Sequence, residues 1–222
     1  MIRESPWNRG PSVGRSVKAA VTVCFALAST AASAQPVLLD DPFHDDVEGW
    51  TSVSSDSEIA WGPLDSGLCA PGSGSAVATH RGPGAALVRA FRPDCVEPVS
   101  DGAGYWFRVA LRFPAGQDRT GEARLRATWM SAAGCTGSSL GVLDLATLTT
   151  DEAGTWNTSA RFQVVPPAQA RSIRLEVQVT KQEAGGELEL QFDSVQVIRG
   201  VPLLVEGFEA GSFCAWSLVV GG

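Results

Sequence analysis

The chain has 222 residues and a formal net charge of −7, with 17 basic against 24 acidic residues. That balance argues against nucleic acid as a partner, because a phosphate backbone is met by a basic footprint. The length suits one domain with enough core that disulfides reinforce the fold and do not create it.

Residues 1–34 read as a signal peptide. Arg3, Arg9, Arg15 and Lys18 make a basic leader, Ala19 to Ala28 a short apolar run, and Ala32-Ser33-Ala34 a small-residue cleavage site before Gln35. The apolar run is too short to span a bilayer. Val23 before Cys24 speaks against lipoprotein processing. Without the leader the chain keeps 13 basic and 23 acidic residues, which favours solubility. No later segment has the length of a membrane helix. The expectation is a secreted monomer, extracellular or at the cell surface.

Gln35 to Trp50 is an acidic opening segment closed by Gly49-Trp50. Residues 51–85 are rich in Ser and Gly, with short apolar pieces at Ile59-Ala60-Trp61 and Ala76-Val77-Ala78, which predict short strands joined by long loops. Ala86 to Phe91 predicts another strand. From Tyr105 onward the chain is written in twos. Tyr105, Phe107, Val109, Leu111 and Phe113 alternate with Trp106, Arg108, Ala110 and Arg112, and the rhythm returns in Ile173–Val179 and Leu188–Phe192. Period two means a strand with one face buried and one wet, and no comparable stretch keeps a helical period. Strands are predicted over 105–113, 123–130, 159–165, 172–181 and 187–198. Breakers separate them at Pro114-Ala115-Gly116, Gly134–Gly137, Pro166-Pro167 and Gly185-Gly186. Across Gly185-Gly186 the last two strands read as a hairpin. Val195 and Val197 are out of phase with Leu188, Leu190 and Phe192, so one extra residue near Asp193-Ser194, a β-bulge, is predicted. The fold class is all-β, a two-sheet jelly-roll β-sandwich over 35–200, with a tail at 201–222.

Cys69, Cys95, Cys135 and Cys214 remain after the leader. An even number in an exported chain suggests two disulfides, and three connectivities are open. A metal site is the weaker alternative, because no two of these cysteines are close and the only histidines are His44 and His80.

Phe43, Gly49-Trp50 and the Ser-Gly-Ser-Ala turn at 73–76 resemble the opening of galactose-binding-like jelly rolls. Gly154-Thr155-Trp156, Val165-Pro166-Pro167, Ser172-Ile173-Arg174-Leu175 and Phe192-Asp193-Ser194-Val195 resemble their closing half. Carbohydrate-binding modules of families four and nine share this grammar over about residues 40–198. The tail, with Gly207-Phe208-Glu209-Ala210-Gly211 and Ala215-Trp216-Ser217, resembles the Gly-Phe-Glu-x-Gly…Ala-Trp-Ser ending of secreted bacterial proteins. The resemblance implies a Cys95–Cys135 disulfide, which leaves Cys69 and Cys214 to join tail to body. It also implies a structural Ca²⁺ held by Asp193 and an acid of the opening segment, where His44 stands in place of the usual Glu and Asp41 or Asp46 would substitute.

No residue set with a hydrolytic mechanism is found. His44 and His80 have no nucleophile-elbow motif near them, and Glu176, Glu187 and Glu189 alternate outward as solvated carboxylates do. The chain therefore reads as non-enzymatic. Glycan binding needs aromatic planes for sugar faces and fork-shaped or amide side chains for hydroxyl edges. The outward phase offers Trp106, Arg108 and Arg112, then Arg124, Arg126 and Thr128, Arg161 and Gln163, and Arg174, Glu176 and Gln178. If those strands share a sheet, Trp106, Arg108, Arg112, Arg124, Arg126, Arg174 and Gln178 form one face for an extended polysaccharide or cell-surface glycan. The alternatives are a ladder of Arg and Glu pairs that only support the sheet, and a structural or adhesive module that meets protein. Trp129, Trp50 and Trp156 read as core aromatics, and Trp61 as a loop-end residue.

Overall fold

The computed structural model describes residues 37–67, 72–97, 99 and 102–200. The signal peptide, the tail, Cys69 and Cys214 lie outside the described residues, as does the side chain of Arg161.

Among the described residues eleven strands follow in chain order: β1 Val37–Asp41, β2 Thr51–Ser52, β3 Ser57–Gly62, β4 Ser75–His80, β5 Leu87–Arg92, β6 Tyr105–Arg112, β7 Gly121–Met130, β8 Ser139–Thr149, β9 Asn157–Val164, β10 Ser172–Lys181 and β11 Leu188–Arg199. They build two antiparallel sheets. One has the order β3-β4-β11-β6-β9 with β1 also on β11, and the other the order β2-β5-β10-β7-β8. The fold is the expected all-β sandwich. Its core is the meeting of the two inner phases, Phe107, Val109, Leu190 and Phe192 from one layer with Leu125, Trp129, Leu175 and Val177 from the other. Phe43, Trp50 and Phe192 close one end of it, with Trp50 and Phe192 4.8 Å apart at their ring centres. Trp129 packs against Tyr105 at 5.4 Å. Trp156 is only half-buried.

The predicted bulge is present. Asp193 pairs with Ala110 and Gln196 with Arg108, so β11 spends one more residue than β6, and Ser194 takes a φ of +55°. The extra residue returns Val195 and Val197 to the core, where both are fully buried. It also marks a change of partner. Leu188 to Phe192 pair with β4, whereas Val195 to Ile198 pair with β1.

Three expectations are corrected. The β10–β11 connection is not a hairpin, since the two strands sit in different sheets. Residues 182–187 cross from one layer to the other, and Lys181 anchors the crossing. Its ammonium is fully buried and donates to the carbonyls of Gly82, Gly185 and Gly186 at 2.6, 2.8 and 2.8 Å. Three N–H donors meet three acceptors, which is what lets a lysine point into the end of a sandwich. Second, β8 was not read from the sequence. Its pairing with β7 slips twice, between Leu125 and Arg126 and between Trp129 and Met130, and each slip breaks the period of two. Third, β6 has no wet face. Trp106, Arg108 and Ala110 point away from the core, yet are 2 %, 2 % and 0 % exposed.

Candidate functional site

The residues expected on one face fall on two. Trp106, Arg108 and Arg112 stand on β6 in the six-stranded sheet, while Arg124, Arg126, Arg174 and Gln178 stand on β7 and β10 in the five-stranded sheet. Both sets point outward, so the sandwich core separates them and no single surface holds all seven.

The β6 set is built into the fold. Burial lowers the pKa of the Arg108 guanidinium, against the opposing pull of Asp193 and Asp40. Arg112 donates to the Gln191 side-chain oxygen and, at 3.3 Å, to the Gly154 carbonyl. These contacts tie β6 to its neighbours and leave Trp106 and Arg108 no solvent face to offer a ligand.

The five-stranded sheet presents a different surface. Its register places Glu176 opposite Arg126 and Arg126 opposite Asp144, and Arg92 reaches Glu176 from β5. A row of alternating charge thus crosses four strands: Arg92, Glu176, Arg126, Asp144. Arg92 contacts the Glu176 carboxylate at 2.6 Å. Arg126 grips Asp144 with two nitrogens, at 2.6 and 3.1 Å. Those bonds pull the Asp144 carboxyl below its ordinary range and raise the Arg126 guanidinium. Arg124 reaches Glu122 at 3.0 Å and Asp144 at 3.4 Å, and the Gln178 amide donates to Glu176 at 2.6 Å. Arg126 and Asp144 keep 28 % and 36 % of their side chains exposed, whereas Glu176 is buried between its partners, so the row is paired throughout and reachable at Arg92, Arg126 and Asp144. Val88 and Val142 lie exposed on the same face. Asp144 was missed with its strand, and Arg92 because the predicted strand stopped at Phe91.

The carboxylates expected to hold calcium do other work. Asp193 accepts the N–H of Ser66 at 3.0 Å and that of Ser194 in its own bulge. Burial raises its pKa all the same. Asp41 accepts the indole N–H of Trp50 at 2.7 Å, and burial pushes its carboxyl up to about 7. Asp46 caps the Glu48 N–H at the surface. Among the described residues no three His, Cys, Asp or Glu side chains converge on one point. Asp41, Asp46 and Asp193 do not fit a shared Ca²⁺ shell, which wants several hard oxygens together.

The Cys95–Cys135 disulfide is present, with Cα atoms 5.5 Å apart. It joins the segment before β6 to the loop after β7, beside a depression of about 270 Å³ at the edge of the charged row.

No protein-family model matches the chain, and no curated protein matches it. Solved structures match in fold. The C-terminal family 22 carbohydrate-binding module of Clostridium thermocellum Xyn10B superposes with a TM-score of 0.52 at 19 % identity, over 77 % of this chain and 97 % of that one. The chain shares its β-sandwich fold. The CBM22-1 xylan-binding domain of Paenibacillus barcinonensis Xyn10C gives 0.52 at 14 % identity, over 78 % and 99 %. Against the xylohexaose-bound CBM22-1–GH10 modules of C. thermocellum xylanase 10B the value is 0.50 at 15 % identity, over 73 % of this chain but 28 % of that one. The sequence motifs resemble families four and nine, whereas these sandwiches are family 22, so the common ground is the fold.

Proposed function

We propose that the protein is an exported, non-catalytic carbohydrate-binding module. It holds an extended polysaccharide or cell-surface glycan along the outer face of β5, β10, β7 and β8. The observation that carries this reading is the row Arg92–Glu176–Arg126–Asp144, in which Arg92, Arg126 and Asp144 are partly exposed around a buried Glu176, on a fold shared with modules named as xylan-binding. Guanidinium forks donate to sugar hydroxyls, carboxylates accept from them, and Val88 and Val142 give apolar ground for C–H faces. Export rests on the leader at 1–34; N-terminal sequencing of the secreted form should begin at Gln35.

The test is a glycan array probed with the mature chain. Binding should fall in Arg126→Ala and Arg124→Ala while the circular dichroism spectrum stays that of the wild type. A folded protein that binds nothing on the array would sink the reading. That outcome favours an adhesive module meeting protein, a role consistent with cations already paired inside the sheet.

A further inference from the structure

We infer that the depression beside the Cys95–Cys135 disulfide is a subsite for one neutral sugar residue, read through its vicinal hydroxyls by Arg174 and Asp94. The inference rests on the module reading above. Arg92, Asp94, Cys95, Gly134, Cys135 and Arg174 line this depression of about 270 Å³. That is slightly below the roughly 300–1,000 Å³ of pockets for drug-sized ligands, and suits a single ring better than a chain. Arg92 belongs to the charged row as well, so the depression continues the proposed glycan face to its edge.

Two of its charges stand apart from every ion pair. Arg92, Arg124 and Arg126 each have a carboxylate partner. Arg174 has none among the described residues. One nitrogen, Nη2, donates to the Cys135 carbonyl at 2.7 Å, which orients the guanidinium and leaves its other donors unspent. Asp94 likewise makes no ion pair among the described residues, although it lines the same depression. The two line one depression and form no ion pair with each other.

A guanidinium only donates and an ionised carboxylate only accepts. A ligand that satisfies both at once must accept toward Arg174 and donate toward Asp94. Neighbouring hydroxyls of a sugar do this. A uronate carboxylate would satisfy Arg174 but meet Asp94 as a like charge, so the arrangement selects neutral sugars over acidic ones. The disulfide sets the spacing. Asp94 precedes Cys95 in the chain, and Cys135 supplies the carbonyl that holds Arg174, so the cross-link fixes donor and acceptor relative to each other.

The experiment is a panel of immobilised neutral and uronate-bearing oligosaccharides, followed by calorimetry on the tightest binder. Neutral sugars should bind in preference, and Asp94→Ala and Arg174→Gln should each weaken affinity about tenfold or more. Asp94 is exposed, so its removal leaves the fold intact and keeps the test clear of unfolding. Joint replacement of Cys95 and Cys135 by Ser should weaken binding in the same direction. Hits that neither Asp94→Ala nor Arg174→Gln disturbs overturn the subsite and leave the module reading standing. Preference for uronates overturns the neutral-sugar assignment. A blank panel overturns both.

Discussion

His80 Nδ1 accepts the N–H of Gly82 at 3.0 Å, and its Nε2 faces the Leu87 carbonyl at 3.0 Å. That pattern fixes a neutral ring with the proton on Nε2. Burial lowers the pKa below the ordinary 6.5, and Lys181 and Arg89 push the same way while Asp56 opposes them. The unfolded chain then binds a proton that the native state refuses. Stability from this site is whole above pH 6.5 and is lost as pH falls through the depressed value. Asp41 runs the other way: with its carboxyl held up to about 7, its contribution is whole in acid and fades as pH rises through that point. The two slopes overlap, so a difference is the clean measurement. The stability advantage of wild type over His80→Gln should shrink below about pH 6.5, by at most about 1.4 kcal/mol per pH unit. Urea unfolding from about pH 7.5 to about pH 5 checks it, and a constant gap would contradict it.

Lys181→Met removes a buried donor from three backbone carbonyls at the layer crossing, of which Gly185 alone keeps a second donor, Arg119 Nε at 3.1 Å. Unmet buried polar groups cost about 1–3 kcal/mol each, with partial rehydration expected here, so a loss of about 3 kcal/mol or more is anticipated. Equilibrium denaturation reads it directly. A loss below about 1 kcal/mol would mean that the cage is not an anchor.

Trp106 and Arg126 should separate stability from binding. Trp106 is 2 % exposed, and its truncation to Ala should cost about 3–5 kcal/mol. Arg126→Ala breaks a partly exposed pair and should cost under about 1 kcal/mol. Thermal melts of both variants measure this. Near-equal melting temperatures would show that the β6 outer face is not part of the packing.

Calcium should leave the protein unmoved. With Asp193 engaged by Ser66 and Ser194, and Asp41 by Trp50, melting curves in millimolar calcium and in EDTA should coincide. A calcium-dependent rise of several degrees would mean that other oxygens complete a shell around one of these carboxylates.

Alternation exposed the inward residues of β6, β7, β10 and β11, because burial on one side writes itself into every second position. The slip in phase at Asp193-Ser194 gave away the bulge for the same reason. What alternation does not encode is the layer. Arg108 and Arg126 have the same phase in their strands and lie on opposite sides of the molecule. Gly185-Gly186 announced a reversal of the chain, but the change of sheet depends on Lys181 reaching Gly82, about a hundred residues earlier. The charged row was half visible, since Arg126, Glu176 and Gln178 were read. Asp144 stayed hidden because the two irregularities opposite β7 erase the rhythm of β8.

Of the strands in the described residues, the two made last occupy the middle of each layer, β10 in one and β11 in the other. Their neighbours β4, β5, β6 and β7 are all synthesised earlier and must wait for a partner between them. Neither half of the molecule can close before Ser172–Arg199 has left the ribosome. Until those two strands arrive, the central place in each layer stands open.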